Sequence, residues 1–368
     1  MKAVGVFPGR KEVGLLAHAA PERTAPDHVK IRTIEVGVCG TDREICTFDY
    51  GTPPEDSEYL VLGHEAVGEV VEIGPAVKGL KPGDLVVPSV RRPCIHSNCT
   101  PCRADRQDFC FTGDFTERGI KMTHGFMTEL FVEEERHLNI IPKELKDVAV
   151  LVEPLTVAEK ALAQIWQVQG RLPWMNGSPE PGHGRTAVVL GAGPIGILGA
   201  MALIVNGFKT YVYSRSAEPN PKADLVNSIG AKYVSAQQVP VKEFAKTVGH
   251  VDLVYEALGV ADITFDVLKI LGLNGVFVFT GIPRHKPAIP VEADNLMRDM
   301  VLKNQIIVGT VNADRPAFES AIRDLGVFKK RWPKAIASVI SGRFPIDAYR
   351  ELLLGKATGI KNVITIGA

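Results

Sequence analysis

Of the six cysteines in this 368-residue chain, four fall together as Cys94, Cys99, Cys102 and Cys110. Four thiolates at such short spacings suit a closed, tetrahedral structural metal site. The plain alternative is a lobe of reduced thiols without metal, and His96 offers a substitute ligand. A second set lies earlier: Cys39 opens a CGTD run, and Gly63–Gly68 reads GHEAVG, with Gly74 six residues further on. Thiolate, imidazole and carboxylate are the usual zinc ligands, and a catalytic zinc takes three protein ligands and keeps one position open. Taken singly, Cys39 reads more readily as a small core filler and His64 with Glu65 as a surface pair. Cys46 is left over, as a buried or free thiol.

A third motif concerns a nucleotide. Val188–Gly199 reads VVLGAGPIGILG, so that Gly191, Ala192, Gly193, Pro194, Ile195 and Gly196 form a GxGxxG turn between an apolar strand and a helix. Gly191 permits the tight turn, Gly193 lets a pyrophosphate approach the helix start, and Gly196 lets helix and strand pack closely. An NAD-preferring site carries an Asp or Glu about 20 residues on, at the end of the next strand. Here that strand ends Tyr213-Ser214-Arg215-Ser216, and the first acid is Glu218. Arg215 offers a charge-assisted contact to a 2′-phosphate, and Ser214 and Ser216 offer hydrogen bonds. The expectation is NADP preferred with NAD also usable; the plain alternative is an Arg215 that merely faces solvent.

These motifs need elements to position them. Residues 1–90 read as β-rich: Val29–Val36 alternates, and Val67–Ile73 and Leu85–Val87 are short apolar strands between Gly/Pro turns. Met1–Phe7 reads as an edge strand. Arg91–Asp114 is the Cys-rich lobe. Leu130–Val132 and Asn139–Ile141 return to strand, and Glu153–Val168 has helical spacing. Arg171–Gly184, rich in Pro and Gly, reads as a boundary. From Thr186 strands and helices alternate, which predicts a doubly wound parallel sheet. After about Thr310 the alternation stops, and the tail is expected to rejoin the first domain.

Composition narrows the function. Lys+Arg and Asp+Glu both total 42, so no global field draws the chain to nucleic acid or to an anionic membrane. Thr186–Phe208 carries no charge and is long enough to cross a bilayer, but its glycines and Pro194 favour a buried strand–turn–helix. Met1–Phe7 has no long apolar region or cleavage site. Bunched cysteines in a protein without a leader suggest metal rather than disulfides, and a cytoplasmic location is expected.

The pattern G-H-E-x-x-G-x5-G at Gly63, His64, Glu65, Gly68 and Gly74, with Cys39-Gly40-Thr41-Asp42, a nucleotide motif and a Cys lobe in that order, resembles the zinc-containing medium-chain dehydrogenases over the whole chain. Local runs are similar to the archaeal-type glucose dehydrogenases of that family: Cys39–Glu44, Leu62–Ala66, the DFTERG core of Gly113–Gly119, Glu153–Leu155 and Val311-Asn312. The resemblance implies an α/β chain with a GroES-like β-rich catalytic domain (1–185 and 310–368, with the lobe at 91–114) and a Rossmann domain (186–309). It implies that Cys39 and His64 bind a catalytic zinc, that Glu65 is a ligand or near-ligand, and that Glu153 stands near zinc and substrate. The four lobe cysteines would hold a structural zinc, although four residues separate Cys94 from Cys99 where the family usually has two.

The implied reaction is oxidation of a cyclic aldose at C1 to the aldonolactone, with hydride passing to NADP or NAD. D-glucose is the expected substrate and D-galactose and D-xylose are further candidates. Thr41 takes the family's hydroxyl-relay position. Glu117 and Asn312 would bond sugar hydroxyls, with Asn312 also at the cofactor. Val90 stands where those enzymes often offer an Asn to the sugar, which leaves the sugar preference open. A sorbitol-type polyol or threonine-type zinc dehydrogenase is the alternative. Relatives are homotetramers or homodimers, and no nucleic acid or membrane partner is expected.

Overall fold

A computed structural model describes residues 1–175, 181–283 and 288–367. The chain divides into two compact units, Met1–Thr156 with Asn312–Ala368, and Val157–Val311. This boundary falls earlier than the 185/186 division expected from sequence, inside the helix Val152–Gln169. The second half of that helix is fastened within its own unit: Trp166 stacks on Phe208 with centroids 5.7 Å apart, and Gln169 donates to the Asn274 carbonyl. The expected boundary segment Arg171–Gly184 thus belongs to the second unit, and its residues 176–180 lie outside the described residues.

The first unit contains β1 (Lys2–Phe7), β2 (Glu12–Ala17), β3 (His28–Gly37), β4 (Leu60–Val61), β5 (Glu65–Ile73), β6 (Leu85–Pro88), β7 (Arg91–Arg92), β8 (Thr116–Arg118), β9 (Met122–Thr123), β10 (Leu130–Glu134) and β11 (Leu138–Ile141). Strands β18 (Ile340–Pro345) and β19 (Lys361–Thr365) return to it from the far end of the chain. The main sheet runs β11-β6-β5-β3-β19-β18, with β10 also on β3. Val29 and Ile31 of β3 are buried in its core, as period-2 alternation predicts, and the register shift between Thr33 and Glu35 brings Val36 to the same side. β1 is not an edge strand as expected: it lies between β2 and β4 in a separate three-stranded sheet. Its apolar run is covered from both sides, a placement that the alternation of a single strand does not reveal.

Two registers position chemistry. Gly37 on β3 stands opposite Glu65 on β5 and Val363 on β19, so the tail delivers Lys361 beside the GHE motif. In the small sheet β7-β8-β9, Arg91 pairs across from Glu117. A close approach adds to this: a Cβ on Gly119 or Gly125 would come within 2.5 Å or 2.3 Å of the Gly63 carbonyl oxygen. Only glycines let the loop after Glu117 lie against the turn that carries His64.

The second unit holds β12 (Thr186–Leu190), β13 (Lys209–Ser214), β14 (Lys232–Ser235), β15 (Leu253–Glu256), β16 (Val276–Phe279) and β17 (Ile306–Gly309). They form a parallel sheet in the order β14-β13-β12-β15-β16-β17, the doubly wound arrangement whose ligand crevice lies at the carboxyl ends of the central strands. The uncharged stretch Thr186–Phe208 is β12, a turn and the helix Pro194–Val205. Among the described residues, no helix is long and apolar enough to cross a membrane.

Candidate active site

Cys39, His64 and Glu65 come together, with one ligand atom from each lying within 4.8 Å of the others. Asp42 organises them. One of its oxygens accepts from the Cys39 amide at 2.8 Å, and the other accepts from the Gly63 amide at 3.2 Å and faces His64 Nδ1 at 3.4 Å. Asp42 is fully buried. A carboxylate behind a ligating imidazole fixes its orientation. Thr41 Oγ1 lies 3.7 Å from Cys39 Sγ. Burial alone would lower the His64 imidazole, but Asp42 and Cys39 hold it well above the usual histidine value.

The two carboxylates differ. Glu65 receives Lys361 Nζ at 2.7 and 2.5 Å, and both side chains are at most 2% exposed. Burial lowers the Lys361 ammonium, while Glu65 and Cys39 raise it above the usual lysine value. Glu153, at the start of the helix Val152–Gln169, is outside the close cluster of Cys39, His64 and Glu65. It remains within electrostatic reach: burial pushes its carboxyl up to about 7, with His64 and Lys361 opposing and Glu65 and Asp42 adding. A buried carboxyl in this condition gains from a nearby cation. The donor set of thiolate, imidazole and carboxylate therefore fits zinc.

The four lobe thiols also converge within 4.8 Å despite the longer first gap. His96 is not needed, since its Nε2 faces Asp114. The Thr112 hydroxyl and Gly113 amide pull Cys110 down to about 6 against burial, while burial pushes Cys102 up to about 12. Four converging thiols form a closed sulfur donor set, and such a set fits zinc. Cys46 is buried away from both sets, and burial pushes its thiol up to about 12.

Glu117 and Asn312 meet: Asn312 Nδ2 donates to Glu117 Oε1 at 2.9 Å, and Arg91 Nε donates to the same oxygen at 3.0 Å. Val90 is buried and offers no polar group there.

In the second unit, Gly191 takes the turn at φ +103, and a Cβ on Gly196 would meet the Gly191 carbonyl oxygen at 2.0 Å. A Cβ on Gly193 would meet open space, so the start of the helix Pro194–Val205 is clear for an anion. Ala192 is buried and Pro194 and Ile195 open the helix. Beneath the turn, Glu256 accepts from the Leu258, Gly259 and Gly281 amides. At the end of β13, Ser214 is half-buried and Arg215 and Ser216 are exposed. Glu218, the first acid, faces Asn227 at 3.5 Å.

Sequence reasoning missed four residues. Asp42 stands in the quoted CGTD run, so its signal was available. Lys361 had none, because it joins Glu65 across 296 positions. Arg91 was visible only as part of the lobe. Tyr50, whose hydroxyl is raised by burial and by Glu117 and Glu44, lies in a loop without periodicity.

Comparison with known proteins agrees with this arrangement. Residues 146–366 match the family model "Glucose dehydrogenase C-terminus", and residues 25–143 match "Alcohol dehydrogenase GroES-like domain". A glucose 1-dehydrogenase of Methanocella arvoryzae is 34% identical over 100% of both chains. Glucose 1-dehydrogenase 2 of Vulcanisaeta moutnovskia is 38% identical over 100% of this chain and 99% of its own. Among solved structures, glucose dehydrogenase of Haloferax mediterranei in complex with NADP, Zn and gluconolactone superposes with a TM-score of 0.88, at 32% identity and 100% coverage of both chains. Galactitol-1-phosphate dehydrogenase of Escherichia coli, 20% identical over 99% of this chain and 100% of its own with a TM-score of 0.79, shares the fold. This chain belongs to the glucose dehydrogenases of the zinc-containing medium-chain dehydrogenase family, and is an NAD(P)-dependent oxidoreductase.

Proposed function

We propose that this protein oxidises D-glucose at C1 to the gluconolactone and reduces NADP. D-galactose and D-xylose are further substrates, and NAD is a weaker cofactor. The observation that carries the reading is the Glu117–Asn312 pair, held by Arg91, in the same unit as the Cys39–His64–Glu65 cluster. A metal cluster alone suits any alcohol; a buried carboxylate–amide pair suits adjacent hydroxyls of a sugar.

Cys39, His64 and Glu65 would hold the catalytic zinc, with Glu153 within electrostatic reach of them, and the four lobe cysteines would hold the structural one. Zinc supplies Lewis-acid stabilisation of charge on the substrate oxygen. Asp42 keeps the His64 ring in orientation. Glu117 and Asn312 would hydrogen-bond the sugar hydroxyls in ground and transition states alike, adding to sugar affinity. Thr41 Oγ would accept the hydroxyl proton while giving its own to water, and a bound nicotinamide would supply the hydride acceptor for C1. The products are one lactone, one NADPH and one proton. The turn Gly191–Gly196 would seat the pyrophosphate, and Ser214, Arg215 and Ser216 the 2′-phosphate. All six cysteines are free of disulfides, which supports a cytoplasmic, reducing location; a homotetramer or homodimer is the assembly proposed.

The test is the initial rate of NADPH formation with D-glucose, D-galactose, D-xylose, sorbitol and threonine, before and after chelation. Aldose activity that chelation abolishes supports the reading. Activity confined to sorbitol or threonine moves the protein to a sister group.

A further inference from the structure

The sugar-binding pair is anchored to the cysteine lobe at two points, and both anchors end on one short turn. That turn, Gln107–Phe109, directly precedes Cys110. The first anchor is Arg91. Its guanidinium lies over the Phe115 ring, 3.6 Å from the centroid, and holds Glu117 with Nε. Its Nη1 donates to the Asp108 carbonyl at 3.2 Å and reaches the Gln107 carbonyl at 3.5 Å.

The second anchor is Arg106. Its Nε and Nη2 grip the buried Asp108 carboxylate at 3.0 and 2.9 Å. The same Nε reaches Asp314 Oδ2 at 3.1 Å. Asp314 caps the helix Arg315–Arg331 by accepting from the Ala317 amide, and it lies two residues after Asn312, which sits at φ +61. Asp108 is therefore the junction: its carbonyl braces the arginine behind Glu117, and its carboxylate braces the segment that carries Asn312.

We propose that Arg106 and Asp108 are positioning residues for sugar recognition, and that the lobe turn sets the spacing of Glu117 and Asn312. The inference rests on the aldose reading of that pair. Both residues brace the segments that carry Glu117 and Asn312, so loss of the brace acts on sugar binding. A loss of binding common to ground and transition states raises KM and leaves kcat unchanged.

The test uses zinc-loaded full-length Arg106→Leu and Asp314→Asn. Asn remains a good helix cap, so the second variant folds even if the first does not. The readouts are kcat and KM for D-glucose, NADP affinity, and D-glucose binding to the enzyme–NADPH complex by calorimetry. The expected result is a D-glucose KM and dissociation constant raised between about tenfold and a hundredfold, the worth of a hydrogen bond to a charged group. Turnover number and NADP affinity stay at wild-type values, and Arg106→Lys recovers part of the loss. An unchanged KM in the folded variants, or a parallel fall of kcat, KM and NADP affinity, overturns the proposal. Wild-type protein that oxidises no aldose overturns the aldose reading instead.

Discussion

Replacing Lys361 by Met should destabilise the metal-free protein by about 3–5 kcal/mol. The ammonium and the Glu65 carboxylate sit 2.5–2.7 Å apart and are both nearly inaccessible to solvent. Opposite charges at about 4 Å attract by about 4 kcal/mol at the effective dielectric that suits protein sites. Removing one partner also strands the other charge in the core, which sets the 3–5 kcal/mol scale. Lys361→Met/Glu65→Gln removes both charges and should recover most of the loss, giving a coupling energy far from zero in a double-mutant cycle. Added zinc offers the stranded Glu65 a cation, so zinc should stabilise Lys361→Met more than wild type. Urea unfolding of the stripped and zinc-loaded proteins measures all of these. A Lys361→Met loss under about 1 kcal/mol, or a double variant as unstable as the single one, would refute the view of Lys361 as the counter-charge that holds Glu65.

Three other outcomes are expected. Arg215→Ala should raise the NADP KM by about tenfold to a hundredfold, the worth of a charge-assisted hydrogen bond, and leave NAD kinetics almost unaltered; equal effects on both cofactors count against a 2′-phosphate contact. Burial and Arg92 lower the His137 imidazole to about 3, against about 6.5 in an unfolded chain. The unfolded chain then takes up a proton that the folded one refuses, so stability is full above about 6.5 and declines as pH falls towards the folded value. His137→Asn should flatten that decline in acid melts, and an unaltered slope counts against it. Cys110→Ser should cost the protein one zinc equivalent by metal analysis and lower its melting temperature; full zinc retention would show that three thiols suffice.

The parts of the site that depend on local spacing were legible in the sequence. The GHE turn, the CGTD run and the glycine turn each lie within a few residues, and short-range geometry there follows from residue type. The tail's return to the first domain was also legible, because strand–helix alternation stops near Thr310. Long-range pairing was not. Lys361 reaches Glu65 through the register of β19 on β3, and nothing in either segment encodes that register. Arg106 meets Asp314 across the lobe for the same reason. The expected boundary and the division into compact units differ because Pro and Gly mark a loop inside the second unit, while the division runs through a continuous helix. The central place of β1 between β2 and β4 is not legible either, because one strand's pattern does not report its neighbours.

The central claim is that hydride leaves C1 of an aldose for the nicotinamide. Oxidation of D-glucose deuterated at C1 tests it most directly, with mass analysis of the reduced cofactor. The account predicts NADPH carrying one deuterium, unlabelled NADPH from the protio sugar, and no reduced cofactor from Cys39→Ser or His64→Ala protein that still binds NADP. Unlabelled NADPH from the C1-deuterated sugar, or full activity in either variant, would contradict it.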